Sequence, residues 1–324
     1  MANTDNPYGF TTFYFGPDDT YSSQFFADLH DLGCTWWRAA YRWVNIEQSP
    51  AVYTWTVLDA AVAAANAAGI HLILPIMDAP SWHLTQTCGA GGAPLPGASD
   101  TATFAAAVAA RYNGTNVQGV IASIEVGNEE YDSKHTCLDA TYYVPVLQAA
   151  APAIRTAGFS NKIGCAATLQ RDTANLTSWY DTFFNAGCGS LVDYLNFHFY
   201  NCPHGPNDGN AFAPTFQRYF QLLRQFSTAH GYPDMDVWCT ETGYPTNLHP
   251  NYTCMVTEAV RNAYFQLMID QARQGGVVSH LLFYTIDAHL DGNSITHDYG
   301  SNRTYTPAYI TLQNHIERYP QWKV

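Results

Sequence analysis

Apolar, strand-like runs alternate with helix-like runs along the whole chain. This alternation is typical of parallel βα units, in which each helix returns the chain to the same sheet. We predict eight strands, near Tyr8 to Phe15, Thr35 to Trp43, His71 to Asp78, Val120 to Gly127, Lys162 to Leu169, Val192 to Tyr200, Asp236 to Thr242 and Ser279 to Ile286. A barrel of eight such units takes about 250 residues and tolerates insertions. The sequence therefore predicts an α/β fold, a single (β/α)8 TIM barrel, as one domain over residues 1–324.

The periodicity of apolar residues in the helices, and the residues that begin or end helices, agree with this division into βα units. One face of the sixth helix is predicted from Phe216, Tyr219, Phe220 and Leu223, and one face of the seventh from Val256, Val260, Ala263, Tyr264 and Leu267. Glycines that follow helical runs can take the left-handed cap conformation, namely Gly33, Gly69, Gly158 and Gly275. Thr306-Pro307 supplies the N-cap and first-turn residues of the last helix. The irregular stretch Ser81 to Asp100 follows the third strand, and a loop of that length is usually functional.

Two of the strand-like runs end in carboxylates. The run from Ile121 to Glu130 ends in Asn128-Glu129, and the run from Asp236 to Gly243 ends at Glu241. In a closed barrel these ends lie on one rim, so both acids would face one cleft. Cleavage of a glycosidic bond needs such a pair, because one acid protonates the leaving oxygen while the other meets the positive charge at the sugar carbon. Either motif in isolation is more often a solvated loop acid, so the barrel context carries the interpretation.

Other polar residues are predicted at the same strand ends: Arg38 and Tyr41 on strand two, Asp78 on three, His198 and Tyr200 on six, and Tyr284 and Asp287 on eight. A cation such as Arg38 beside one carboxylate would lower its pKa and keep it ionised as a nucleophile. The other acid has to stay protonated, which requires apolar surroundings or a like-charge neighbour.

Composition narrows the possible partners. The chain has 14 basic and 27 acidic residues, a net charge of −13, and only 13% charged residues, which argues against nucleic acid or an anionic membrane. No apolar run approaches the roughly 20 residues of a membrane span. Aromatic residues make up 15% of the chain, so we expect some of them to line a groove in which flat rings stack on sugars. The expected partner is a carbohydrate substrate, and the protein is expected to be a monomer.

The cysteines are predicted to differ in role. Three lie at or inside strand-like runs and are expected to be buried thiols: Cys34, Cys165 and Cys239. Four lie in loops, where we predict the bridges Cys88 to Cys137 and Cys202 to Cys254, one of three possible pairings. A zinc site is the weaker alternative because no Cys-x2-Cys pair occurs. Many cysteines, few charges and sequons at Asn113, Asn175, Asn251 and Asn302 are compatible with a secreted protein whose leader has been removed, with a leaderless cytoplasmic protein as the alternative.

No metal or other cofactor is expected. The chain contains no His-x-His and no His-Glu-x-x-His, the spacings that typically place metal-binding histidines together. Serine-nucleophile motifs and phosphate-binding glycine loops are also absent from the sequence.

The two acidic motifs and the second βα unit carry a family resemblance. Trp36-Trp-Arg-Ala-Ala-Tyr-Arg-Trp43, followed by Tyr53-Thr-Trp-Thr-Val-Leu-Asp59 and Ala67-Ala-Gly-Ile70, resembles families five, thirty-nine and forty-two of clan A of the glycoside hydrolases. That clan is the retaining (β/α)8 group, with an Asn-Glu at the end of strand four and a Glu at the end of strand seven. Val126-Gly-Asn-Glu129 and Glu241-Thr-Gly-Tyr-Pro245 are also similar to family seventeen.

The resemblance implies a role for each matching residue. Glu129 would be the acid/base and Glu241 the nucleophile. Asn128 would bond the sugar 2-hydroxyl, and Arg38 would steady Glu241. His198 would contact the subsite and Tyr200 the nucleophile, although a packed strand-end histidine is the plain alternative for His198.

Two positions depart from the clan's pattern. Glu130 stands where proline is frequent, and Tyr284 stands where a tryptophan floors the subsite of the cleaved sugar. Glu130 competes with Glu129 for the acid role, although only one of two successive residues faces the cleft if the strand stays extended. Trp82 is a candidate sugar platform, and a hydrophobic plug explains it equally well. Weaker candidates at the rim are His83, Asp78, Asp287 and His289.

The sequence therefore predicts a secreted retaining β-glycosidase that hydrolyses a polysaccharide or oligosaccharide by double displacement. A transglycosylase is the nearest alternative because it uses the same residues and differs only in the acceptor. A carbohydrate-binding protein without turnover is the alternative from another class, and intact Glu129 and Glu241 argue against it.

Overall fold

The computed structural model describes residues 6–14, 21, 24–87, 94–115, 119–129, 140–169, 173–202, 204–208, 214–246, 255–286, 295–297 and 304–320. Its centre is a closed barrel of eight parallel strands, each paired with its neighbours in sequence, with the last returning to the first. The strands are β1 (Tyr8–Tyr14), β2 (Trp36–Tyr41), β3 (His71–Ile76), β4 (Ser123–Val126), β5 (Lys162–Gly164), β6 (Tyr194–Phe199), β7 (Asp236–Thr242) and β8 (Val278–Tyr284). Each overlaps one predicted strand, so the (β/α)8 prediction is confirmed.

A longer helix follows each strand of the barrel. These helices are α1 (Phe25–Asp31), α2 (Thr56–Ala67), α3 (Ala98–Arg111), α4 (Tyr143–Thr156), α5 (Thr173–Asn185), α6 (Phe216–Ala229), α7 (Glu258–Gly275) and α8 (Pro307–Arg318). The loops that follow β2, β3 and β8 also contain a short helix, Trp43–Ile46, and small antiparallel pairs of strands. No helix in the described part of the chain is long and apolar enough to cross a membrane.

The amino-terminal end of the barrel is filled by large apolar side chains. Trp36, Ile73, Tyr194, Trp238 and Leu282 form a buried cluster apart from the main core, here called the bottom plug. The rings of Tyr194 and Trp238 stack with centroids 3.9 Å apart, and Trp36 meets Trp238 edge-on at 5.1 Å. This end of the barrel is therefore filled, and an open site is expected at the carboxyl-terminal rim.

Helices α6 and α7 show one confirmed and one wrong prediction. On α6 the predicted face is fully buried: Phe216, Tyr219, Phe220 and Leu223. On α7 the buried face instead comprises Arg261, Phe265, Met268, Ile269 and Ala272, while Ala263 is exposed. The predicted face is only partly buried, with Val256 and Tyr264 packed at the edge of the core. The fully buried face includes Arg261, whose Nη2 donates to Glu258 Oε1 at 2.6 Å. Counting apolar residues alone selected the wrong face.

The predicted helix ends are confirmed with one shift. Thr306 is the N-cap of α8, and its side chain accepts a hydrogen bond from the backbone of Tyr309. Positive φ angles occur at Gly33, Gly69 and Gly158 as predicted. At the end of α7 it is Gly276, with φ of 61°, that takes the left-handed conformation, because the helix continues through Gly275.

The buried cysteines are thiols. Cys34, Cys165 and Cys239 are buried and free, as predicted, and so is Cys188, which the sequence left unassigned. Both ends of the predicted bridge between Cys88 and Cys137 lie outside the described residues, as does Cys254 of the other bridge. The pairings and export therefore stay predictions.

His280 on β8 gives a prediction about stability. Its ring packs against Trp238 at 3.9 Å, and burial, helped by Lys162, lowers its pKa from 6.5 to about 3. The unfolded chain binds more protons between these values, so the free energy of unfolding falls as the pH drops through 6.5 toward 3. At pH 5 the loss from a partly exposed ring is on the order of 1 kcal/mol.

We expect His280→Gln to reduce the difference in unfolding free energy between pH 7 and pH 5 by about that amount. Urea denaturation at both pH values measures it. The control is Ser279→Ala, next to His280 on the same strand, which removes no titratable group and should leave the difference unchanged. An unaltered difference in His280→Gln would show that His280 binds protons equally in the folded and the unfolded chain, against a lowered pKa.

Candidate active site

The end of β4 turns before it delivers its carboxylate. The extended conformation stops at Val126, and Gly127 and Glu129 both have positive φ, 97° and 52°. The prediction that only one of Glu129 and Glu130 faces the cleft assumed an extended strand, and the chain is not extended at Glu129. Glu130 itself lies outside the described residues. A non-glycine residue in this conformation costs on the order of 1–3 kcal/mol. The turn aims the Glu129 carboxyl group across the rim toward β6.

Arg38 on β2 is the cation at the centre of the site, with no exposed surface. Its Nε donates to Glu125 Oε2 at 2.6 Å, its Nη1 to Glu241 Oε1 at 2.5 Å and its Nη2 to Asn128 Oδ1 at 2.7 Å. Burial opposes the charged form, but Glu125 and Glu241 raise the pKa of Arg38 above its usual value. The planar guanidinium holds its acceptors in fixed directions, so Arg38 sets the position of Glu241 relative to Asn128.

Glu125 is a site residue that the sequence analysis missed. It is fully buried on β4, and its Oε1 accepts a hydrogen bond from the Tyr194 hydroxyl at 3.1 Å. A signal was available, because an acid in the middle of the apolar run from Ile121 to Gly127 has to be buried, and a buried acid needs a partner. Glu125 and Glu241 share one guanidinium, so this cluster holds two carboxylates for one fixed cation.

Glu241, near the end of β7, is the more buried of the two candidate catalytic acids. Its side chain is 4% exposed, against 27% for Glu129. Besides Arg38, the Tyr200 hydroxyl donates to its Oε2 at 2.9 Å. Burial raises the pKa of Glu241 above its usual value, although His198 and Arg38 act in the opposite direction. The expectation that Arg38 would give this acid a lowered pKa is therefore wrong, because desolvation outweighs the cation.

His198 on β6 lies between the two acids and is fully buried. Its Nδ1 is 2.7 Å from Glu129 Oε1, and its Nε2 is 3.2 Å from Thr240 Oγ1 and 3.6 Å from Glu241 Oε1. Burial lowers the pKa of His198 to about 4, so the ring is neutral near pH 7. One donor atom from each of Glu129, His198 and Glu241 lies within 4.8 Å of the other two.

Carboxylates and an imidazole at such distances are also the side-chain types that bind transition metals. In this site, however, the Glu241 oxygen is already held by Arg38 at 2.5 Å. A dication at that oxygen would lie against a guanidinium charge, which is electrostatically unfavourable. The arrangement therefore fits proton transfer better than metal binding.

The remaining predicted residues lie around this centre. Tyr284 ends β8 and packs edge-on against Phe13 with ring centroids 5.6 Å apart. Burial, Glu241 and Tyr284 together raise the pKa of Tyr200, so Tyr284 lies close to the nucleophile side of the site. Trp82 is 39% exposed, and its ring neighbours His83. The long loop after β3 is described only in part, since residues 88–93 lie outside the described residues, as do Asp287 and His289.

A cavity of about 240 Å³ opens beside Asn128 and is lined by Arg42 and Asp78. Arg42 Nε donates to Asp78 at 2.9 Å, and both side chains are about one third exposed. Tyr41, in contrast, is buried and stacks on Tyr14 at 4.4 Å. Asp78 and Tyr41 were both predicted at the rim. The Asp78 carboxylate lines the cavity, whereas Tyr41 packs in the core.

Comparison with solved structures identifies the fold. The family 39 glycoside hydrolase from Bacteroides cellulosilyticus WH2 matches with a TM-score of 0.72 and 17% identity, over 96% of this chain and 63% of that one. The glucosidase from Croceicoccus marinus matches at 0.68 and 15%, over 95% and 66%. The catalytic domain of GH30 xylanase C from Talaromyces cellulolyticus matches at 0.63 and 17%, over 97% and 75%. The fold is that of the clan A glycoside hydrolases.

No protein-family model and no curated protein matches the chain by sequence. The chain spans less than two thirds of the first two structures, 63% and 66% of their lengths. Likeness at these identities concerns the clan A fold and not the reaction. Within that fold, six predicted residues come together at one rim: Arg38, Asn128, Glu129, His198, Tyr200 and Glu241.

Proposed function

We propose that the protein is a retaining β-glycoside hydrolase acting by double displacement. Glu241 would attack the anomeric carbon and form a glycosyl intermediate, while Glu129 protonates the leaving oxygen. Glu129 would then deprotonate the water that releases the sugar. The solved structures with this fold carry names such as glucosidase and xylanase, which agree with a carbohydrate substrate.

The spacing of the two acids carries this proposal. An oxygen of Glu129 and an oxygen of Glu241 lie within 4.8 Å of each other. Retaining enzymes place their carboxyl groups about 5–5.5 Å apart, whereas inverting enzymes leave roughly 6.5–9.5 Å for a water molecule. The two carboxyl groups are farther apart than their facing oxygens, and an oxygen-to-oxygen approach within 4.8 Å fits the retaining range better than the inverting one.

The hydrogen bonds around Glu241 suit a nucleophile. Arg38 and Tyr200 each donate to a different oxygen of its carboxylate, which fixes the plane of the group before attack. The raised pKa of Glu241 also matters, because a more basic carboxylate is a better nucleophile. The Arg38 guanidinium remains the ion-pair partner of this carboxylate. Arg38 holds the amide of Asn128 in the same network, the residue that by resemblance binds the sugar 2-hydroxyl.

The test is a screen of aryl β-glycosides and of neutral polysaccharides, followed by NMR of the first anomer formed. We expect a β-linked substrate to give the β-anomer first, before mutarotation. An α-anomer as first product would contradict the retaining mechanism. Product analysis with added sugar acceptors separates a hydrolase from a transglycosylase, and binding without any turnover would favour the carbohydrate-binding alternative.

Export to an extracellular glycan is part of the same proposal and has its own test. Secretion predicts a protein that keeps its fold under oxidising conditions and loses stability when its predicted loop disulfides are reduced. Mass mapping of the cysteine peptides would establish the pairing.

A further inference from the structure

The distribution of burial leaves a question about the proton that catalysis needs. Desolvation keeps a carboxyl group protonated, but it acts mainly on Glu241, whose side chain is 4% exposed, and less on Glu129, at 27%. The acid that must hold a proton is thus the more exposed one. Glu241, with an oxygen within 4.8 Å, is a like-charge neighbour that favours a protonated Glu129. A hydrogen-bond acceptor placed against Glu129 would add to this bias, because it also favours the protonated form.

The hydrogen bonds behind His198 determine which of its nitrogens is that acceptor. Thr240 Oγ1 lies 2.5 Å from Asn196 Oδ1, an amide oxygen that can only accept, so the single hydroxyl proton of Thr240 points to Asn196. Thr240 Oγ1 can then only accept from His198 Nε2, 3.2 Å away. The neutral ring therefore carries its proton on Nε2, and Nδ1 has a lone pair.

We propose that Asn196 and Thr240 are positioning residues that lock His198 in the Nε2–H tautomer, so that its Nδ1 accepts the proton of Glu129 and keeps this acid protonated before catalysis. The Nδ1 atom is 2.7 Å from Glu129 Oε1, a distance at which two lone pairs would repel without a proton between them. This inference deepens the proposed function and rests on it for the role of Glu129 as acid.

The charges around His198 favour the neutral ring over an imidazolium. Glu129 faces it from the turn after β4, Glu241 from β7, Arg38 from β2 and Glu125 from β4. The two buried acids favour the cation, whereas burial and Arg38 oppose it, and the pKa of His198 falls to about 4. Near pH 7 the ring is therefore neutral, and in its Nε2–H tautomer the proton in the 2.7 Å contact belongs to the carboxyl group.

The same contact serves both chemical steps. In the first step the Glu129 proton leaves its hydrogen bond to Nδ1 and passes to the leaving oxygen as the glycosidic bond breaks, and the new carboxylate faces the Nδ1 lone pair. Because this arrangement is unfavourable, Glu129 becomes a stronger base, and in the second step it takes a proton from the attacking water. The proton count returns to its starting value, and His198 keeps its Nε2 proton throughout.

The orientation of the Asn196 amide decides between this arrangement and its reverse. As placed, Asn196 Nδ2 is buried without a partner among the described residues. A reversed amide would donate to Thr240, free the Thr240 hydroxyl to donate to Nε2, and move the histidine proton to Nδ1, facing an ionised Glu129. The two arrangements put the histidine proton on different nitrogens, so they are distinguishable by experiment.

The test is nitrogen NMR of the full-length protein with labelled histidine, without substrate. The His198 signals are assigned as those missing from His198→Gln. We expect Nε2 protonated and Nδ1 unprotonated near pH 7. A protonated Nδ1 in the unaltered protein would overturn the proposal whether or not the protein turns out to be a glycosidase, so the reading does not depend on the proposed function.

Variants of Thr240 test the consequence for catalysis. Thr240→Val removes the acceptor for Nε2–H, so we expect the tautomer preference to be lost, the basic limb of the pH–rate profile to move down by about one unit, and kcat near neutral pH to fall about tenfold with sugar leaving groups. Thr240→Ser keeps the hydroxyl and should retain the original tautomer and profile. A tautomer and pH profile in folded Thr240→Val equal to those of the unaltered protein would reject the lock.

Discussion

Replacing Glu241 by alanine is expected to abolish turnover of every substrate, by a factor on the order of 10⁵ or more. Among the described residues, Glu241 is the only carboxylate held by both Arg38 and Tyr200. If it forms the glycosyl intermediate as proposed, a better leaving group cannot compensate for its loss. The measurement is kcat on an activated aryl β-glycoside and on an oligosaccharide. Both rates should collapse together.

Azide should partly restore Glu241→Ala, because the anion can enter from the face that lost its carboxylate and give an α-linked azide. The matched control is Glu317→Ala, at an exposed acid of α8 far along the chain, which should keep full activity. If Glu241→Ala hydrolyses the activated substrate at a rate close to that of the unaltered protein, the nucleophile has been assigned to the wrong residue.

Replacing Glu129 by alanine should instead produce a loss that depends on the leaving group. A sugar leaving group needs a proton, so its cleavage should slow by about 10²–10⁴. An activated aryl group departs without one, so its first step should change far less and the glycosyl intermediate should accumulate as a burst. Azide should accelerate release of this intermediate and give the β-linked azide, since here it replaces the water that Glu129 would have activated.

Glu130→Ala is the matched neighbour for this experiment. The φ of 52° at Glu129 directs that residue to His198, and we expect Glu130 to be dispensable, with substantial activity retained for both leaving groups. Leaving-group dependence in Glu130→Ala together with an active Glu129→Ala would move the acid/base role by one residue. That result would also remove the catalytic reason for locking the His198 tautomer at Glu129. The protonation state of the His198 nitrogens measured by NMR would still stand.

The barrel and its two acids were predictable from sequence because both depend on short-range patterns. A strand such as His71–Ile76 is buried on both faces, and its sequence is therefore almost continuously apolar. Once the runs close into a barrel, strand order alone brings Glu129 and Glu241 to one rim. No distance between them had to be known for that inference.

What the sequence did not reveal depends on three-dimensional environment. The buried face of α7 contains Arg261, and a charged residue is not counted as part of an apolar face. The partition of burial between Glu129 and Glu241 depends on how far each stands from the rim, which the turn at Gly127 alters. Glu125 and Asn196 acquire their roles only through Arg38 and Thr240 on other strands, and such contacts leave no periodic signal.

The bottom plug, which includes Trp36, Tyr194 and Trp238, closes the amino-terminal end of the barrel interior. Substrate, leaving group and water would all have to pass through one mouth. In the proposed double displacement, the second reactant can then reach the glycosyl intermediate only through the space that the first product vacates. Water and a second sugar would therefore compete for the subsite that the leaving group has vacated. Hydrolysis or transfer to another sugar would follow from which of the two acceptors binds there first.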